Sequence, residues 1–160
     1  MQAEYLKAPI FLLSCQSQDS FGIPEYLILN LVFKTGYTPV SNILLKLVRI
    51  KENPWETLKQ SVNNIDEVEL CGDKKGIYVR VKPEWNSFLD VTKTYRVYAG
   101  SNSYVKLFDF LQQHGSASNA DIKALLGHTH TPTTSKFLRN ISYIKRTGKG
   151  VGATWSLITG

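Results

Sequence analysis

At 160 residues and 42% apolar side chains, the chain can build one medium domain or two small ones around a real core, which argues against intrinsic disorder. Its longest apolar run, around Tyr26–Phe33, is far short of the roughly 18–20 residues that span a bilayer, so no membrane partner is expected. The net charge of +6 is placed unevenly: eight basic and two acidic residues lie from Arg96 onward, whereas residues 1–95 hold eleven of each and are neutral. A basic C-terminal half points to a polyanionic partner for that half.

The opening MQAEYLKAPIFLLSCQS carries one lysine, one acid and a short apolar stretch. It is a poor match to a secretory signal and reads as part of the fold, with a strand at Pro9–Ser14. Pro24–Phe33 reads as a helix that is apolar almost all round. Such a helix is buried on several sides, against the preceding segment, the other half of the chain or a second chain; the last would make a homodimer through the N-terminal unit. Thr38-Pro39 is expected to open a second helix running through Leu44, Leu45 and Val48. Asn53-Pro54 opens a third, with Glu56 in capping-box position and Leu58, Val62 and Ile65 facing inward. Strands Val68–Cys71 and Ile77–Val81 flank the turn Gly72-Asp73-Lys74-Lys75-Gly76. Within the connector 86–101, Asp90–Tyr98 alternates like a strand.

Residues 102–160 repeat this order. SYVKLFDFLQQHG sets Val105, Phe108 and Leu111 on one helical face, with Gly115 as the stop. Ser118 and Asp121 form a capping box for a helix burying Ile122, Leu125 and Leu126, ended by Gly127. A third helix opens with Thr131 as cap and Pro132 at its first position, and turns Leu138 and Ile141 inward. Two strands follow, Tyr143–Arg146 and Ala153–Leu157, joined by the flexible loop TGKGVG. Trp55, Trp85 and Trp155 are expected in the core, with Trp55 the one placed to be exposed.

The two halves match at an offset of 76. Residues 58–81 (LKQSVNNIDEVELCGDKKGIYVRV) and 134–157 (TSKFLRNISYIKRTGKGVGATWSL) pair Asn64-Ile65 with Asn140-Ile141, Gly72 with Gly148 and Gly76 with Gly152. Val62 and Leu138, Val68 and Ile144, and Val79 and Trp155 also fall together. Two copies of one supersecondary unit follow, covering 1–85 and 102–160, and the expected fold class is α+β.

The order helix, helix, helix, β-hairpin resembles the winged-helix family of helix-turn-helix proteins, in tandem. That resemblance implies a double-stranded DNA partner, with the third helix in the major groove and the hairpin wing on the backbone. In the C-terminal copy the residues placed to do this are Thr131, Thr133, Ser135, Lys136, Arg139 and Asn140 on the helix, and Lys145, Arg146 and Lys149 on the wing. In the N-terminal copy they are Lys59, Gln60 and Asn63, with Lys74 and Lys75 on its turn. There Glu56, Asp66, Glu67 and Glu69 are expected to repel phosphate. A transcriptional repressor or regulator is the reading favoured. Tandem winged helices also resemble plasmid or phage replication initiators, and paired winged helices can act as protein-binding scaffolds.

Other chemistry finds little support. Gly148–Thr154 misses the phosphate-loop spacing and leads into a strand rather than a helix. His128 and His130, with His114, have no neighbouring cysteine or carboxylate pair, so no metal or cofactor is expected. No nucleophile motif appears, and the protein is not expected to be an enzyme. Cys15 and Cys71 read as buried thiols of a cytoplasmic protein, nucleoid-associated in a bacterium, with a disulfide as the alternative.

Overall fold

A computed structural model of the protein describes residues 21–83 and 102–158. The expected strands at Pro9–Ser14 and Asp90–Tyr98, together with Cys15 and Trp85, lie outside the described residues. The class is α+β, with six α-helices and two three-stranded sheets among the described residues. The chain divides into two compact units, Met1–Leu70 with Tyr78–Val97, and Cys71–Ile77 with Tyr98–Gly160. The turn between the first pair of hairpin strands thus belongs to the C-terminal unit.

Along the first copy, α1 spans Ile23–Thr35, β1 Tyr37–Pro39, α2 Val40–Leu47, α3 Pro54–Asn64, β2 Val68–Gly72 and β3 Ile77–Val81. Helix α1 starts with proline in its first turn, and Gly36 ends it at φ 84, with its N–H on Val32 O at 2.7 Å. Among the described residues α1 buries one broad side. Ile28, Leu29 and Val32 are buried, but Ile23 and Tyr26 stand exposed. Glu25 lies on the buried side and accepts a hydrogen bond from Asn64 Nδ2 at 3.1 Å, which satisfies the carboxylate there.

Thr38-Pro39 leads into α2 as expected, with Pro39 the residue immediately before the helix. Both are strand residues, with Thr38 paired to Val79 and Pro39 to Tyr78. Proline disfavours the α conformation at the residue before it, and without an N–H it suits the end of an edge strand. The helix begins at Val40 and buries Val40, Ile43 and Leu47, while Leu45 and Val48 face outward. The capping box expected on α3 is half formed. Asn53 Oδ1 accepts from Glu56 N at 3.3 Å, but the Glu56 carboxylate turns one helical turn forward to Lys59 at 3.0 Å. Trp55 is buried rather than exposed.

In the C-terminal unit, α4 spans Asn102–His114, β4 Ala117–Ser118, α5 Asn119–Leu126, α6 Thr131–Arg139, β5 Ile144–Thr147 and β6 Thr154–Leu157. The sheet order is β4-β6-β5, parallel in plan to β1-β3-β2 of the first unit. The core gathers Leu107, Leu111, Ala117, Ile122, Leu138, Ile141, Ile144 and Trp155. The expected inner face of α4 is turned slightly: Leu107 and Leu111 are fully inside, and Val105 and Phe108 are half-buried. The capping box on α5 is complete, with Asp121 N on Ser118 Oγ at 3.1 Å and Ser118 N on Asp121 Oδ2 at 3.2 Å. Ser118→Ala should therefore lower unfolding free energy by about 1 kcal/mol in urea titration. No change would mean that the cap is made only in passing.

The two units share one element order, but at two offsets. The pairs Val62 and Leu138, Ile65 and Ile141, and Val68 and Ile144 are buried 76 positions apart. Ile28 and Leu107, Val32 and Leu111, and Ile43 and Ile122 are buried 79 apart. Between the second helix and the hairpin the C-terminal copy is shorter, so α6 follows α5 after only Gly127–His130. Gly127, at φ 70, allows that short turn.

Candidate nucleic-acid interface

The short turn brings α6 out of α5 with one side pinned and one side free. Leu138 and Thr134 are fully buried on the pinned side. Thr134 takes the place that Leu58 holds in the first unit, and its buried hydroxyl lies 2.8 Å from His128 Nδ1, a hydrogen bond between helix and turn. The His128 ring also meets Phe137 edge-on. One member of the His-Thr-His pair is thus committed to packing. The other, His130, is the residue before α6; it is exposed and makes no side-chain cap. Among the described residues no group of three His, Cys, Asp or Glu is placed to hold a metal.

Thr131 is not the cap of α6 but its first residue. Its hydroxyl lies 3.4 Å from Lys123 Nζ. Pro132 has no N–H to leave open, and the Thr133 N–H returns to His130 O at 3.2 Å. No acid stands in the first turn, so the positive end of the helix is not offset by a side chain.

Thr131, Thr133, Lys136, Arg139 and Asn140 are all exposed. Lys136 follows Thr133 by three positions, and Arg139 follows Lys136 by three, a spacing that keeps them on one face. Ser135 sits differently. It is half-buried, and its Oγ accepts from Asn119 Nδ2 at 3.3 Å. Asn119 Oδ1 in turn accepts from Trp155 Nε1 at 2.6 Å. This chain ties β6, α5 and α6 together, and Asn119 is a residue that sequence reading passed over. At the other end of α6, Asn140 Nδ2 donates to Lys136 O and Arg139 Nε to Ser135 O. Both bonds are solvent-exposed, so a competing acceptor can replace them at little cost.

The wing starts from Ile144, which is buried, and continues through exposed Lys145, Arg146 and Thr147 on the edge strand β5. The loop expected to be flexible folds into a 3₁₀ turn, Gly150–Gly152, closed by Ala153 N on Gly150 O at 3.2 Å. Gly148 at φ 89 reverses the chain, a conformation that a side chain would strain. Lys149 and Val151 stand exposed on this turn.

From His128 to Ile158 there is no aspartate or glutamate. No described carboxylate lies within ion-pairing distance of Lys136, Arg139, Lys145, Arg146 or Lys149. The unit as a whole carries nine basic and three acidic residues. Of those three, Asp121 is held in the α5 cap and Asp109 accepts from Gln113.

The residues expected from the N-terminal copy are placed otherwise. Lys59 pairs with Glu56 and lies 5.9 Å from the Trp55 ring centroid. Gln60 and Asn63 are exposed. Two of the acids expected to repel phosphate are buried or paired. Glu67 is buried rather than on the surface, and Glu69 is matched by Arg80 at 2.7 Å, which also occupies that arginine. Lys74 and Lys75 are exposed, on the turn that belongs to the C-terminal unit.

Among the described residues no helix is long and apolar enough to cross a membrane. No protein-family model, curated protein or solved structure matches the chain.

Proposed function

We propose that the protein binds double-stranded DNA through its C-terminal unit, as a transcriptional repressor or regulator of tandem winged-helix type. In this reading α6 lies in the major groove. Lys136 and Arg139 reach base edges or phosphates, and Thr131 and Thr133 offer hydroxyls to phosphate oxygens near the helix start. Lys145, Arg146 and Lys149 hold the backbone beside the wing, and Ser135 positions the helix from behind. The observation that carries the proposal is the set of five exposed cations on α6 and the β5–β6 hairpin with no described carboxylate beside them. An exposed cation row this long meets no described carboxylate, and a polyanion supplies the opposite charge. The order helix, strand, helix, helix, strand, strand in each unit supports the winged-helix part of the reading.

Titrating the protein with random-sequence duplex at several salt concentrations tests this. Five phosphate neutralisations predict that log K falls with log salt at a slope of about −3 to −5. A slope near zero, or no binding at low salt, would remove the DNA reading.

A homodimer through the N-terminal unit fits alongside it. Leu45, Val48 and Ile50 are exposed at 69%, 60% and 51%, on and just after α2. Apolar side chains exposed so close together favour a protein contact there.

A further inference from the structure

We propose that the turn Asp73–Gly76 is a third phosphate-binding element of the C-terminal unit, set at the far end of α6 from its N-terminus. It rests on the reading of α6 as a DNA-binding helix and extends the surface that reading uses. By sequence the turn is the tip of the first copy's hairpin, serving its own copy. By structure it belongs to the second unit.

Two attachments fix it there. The Ser142 N–H donates to Lys74 O at 2.8 Å, and Ser142 Oγ lies 3.5 Å from Lys75 O. Ser142 stands between Asn140, the residue capping α6, and Ile144, where β5 begins. The second attachment is packing. A Cβ on Gly72 would lie 3.0 Å from Tyr104 Cβ, tighter than an ordinary contact, so the base of the turn lies close against α4. Tyr104 in turn packs its ring on Phe137 of α6, with centroids 4.8 Å apart.

The turn is closed by its own hydrogen bonds. Asp73 Oδ1 accepts from the N–H groups of Lys75 at 2.8 Å and Gly76 at 3.0 Å, and Asp73 N donates to Gly76 O. This arrangement commits the aspartate to the backbone and leaves Lys74 and Lys75 exposed. Both backbone carbonyls face Ser142, so the two lysines are held at the junction where Arg139, Asn140 and Lys145 also emerge. Four cations then gather at this end of α6, on a preorganised frame. A duplex with α6 in its major groove meets them as a continuation of the same phosphate track, and the bound site is correspondingly longer on that side.

The competing role is structural: lysines near a helix C-terminus complement its negative end. Salt dependence separates the two, because only displaced counterions change the slope. Lys74→Gln with Lys75→Gln, in the full chain against random duplex, should reduce the slope by about 1.8 and weaken binding by tens-fold near 0.1 M salt. Lys74→Arg with Lys75→Arg should keep the wild-type slope. An unchanged slope in the glutamine variant, with Lys136→Ala and Arg139→Ala still weakening binding, overturns the proposal and leaves the α6 reading intact. Failure of the wild-type protein to bind duplex overturns both.

Discussion

Replacing Lys136 and Arg139 together by alanine is expected to weaken duplex binding by about 2–6 kcal/mol, which is roughly 30-fold at the least. Each side chain is exposed on the free face of α6 and has no described carboxylate to lose. Truncation therefore removes what the ligand receives and, within the protein, the exposed bond from Arg139 Nε to Ser135 O. Fold stability should move by no more than about 0.5 kcal/mol, as for ordinary surface positions. That separation makes the double variant informative, since weaker binding cannot then be traced to unfolding. The two residues need not act alike. Loss of a phosphate contact lowers affinity for all sequences and reduces the salt slope by about 1, whereas loss of a base contact relaxes preference at one position. Singles measured on a selected site and on random duplex would assign each role. Unchanged affinity in the double variant, with the protein folded, would place the interface elsewhere.

Much of the frame was legible in the residues because its signals are local. Ser118 and Asp121 mark a cap three positions apart, and both bonds form. Gly115 and Gly127 fall just after helices, and each takes a positive φ. The strands of both hairpins lie within a residue or two of where alternation places them. Local periodicity could not reveal β1 and β4, of three and two residues. So short a strand has no alternation of its own and exists through its distant partners, β3 and β6. A single slide of the sequence found the 76-residue match and missed the 79-residue one. A shorter turn before α6 shifts everything ahead of it, and apolar pairs such as Ile28 with Leu107 share character rather than identity.

The site was legible as a list of exposed polar residues, and less so as an arrangement. Lys136 and Arg139 can be read from helical spacing alone. Ser135 falls in the same stretch, yet its hydroxyl is drawn inward by Asn119, a partner sixteen positions away. Thr134 reads as one more polar helix residue, but it is fully buried and paired with His128. Lys74 and Lys75 read as part of the first hairpin, and nothing local indicates that their carbonyls face Ser142. Polar residues follow no amphipathic rule when a second polar group waits for them in the interior, and that group is chosen by the fold.

Trp155→Ala should have the largest effect on stability of any single change, about 3–5 kcal/mol from the lost side chain alone. The ring is a member of the C-terminal core, and its strand pairs on both sides, with Ala117 of β4 and Arg146 of β5. The indole also donates to Asn119 Oδ1 at 2.6 Å, so truncation leaves that carbonyl oxygen without its partner at a further cost of about 1–3 kcal/mol. Against a typical unfolding free energy of about 5–15 kcal/mol, the C-terminal unit should be largely unfolded or close to it. Trp155→Phe separates packing from the hydrogen bond. It keeps most of the apolar area and removes the N–H, and should cost about 1–3 kcal/mol. Adding Asn119→Ala to Trp155→Phe should then cost less than the sum of the two singles, since they break one shared bond. Urea unfolding of the four proteins measures this directly. Additive losses would mean that Trp155 and Asn119 act independently, and that Ser135 and α6 are not tied to the wing strand through them. Coupled losses, joined by weaker DNA binding in the folded Trp155→Phe protein, would show that the wing and the helix are held in register by this one part-buried chain of hydrogen bonds.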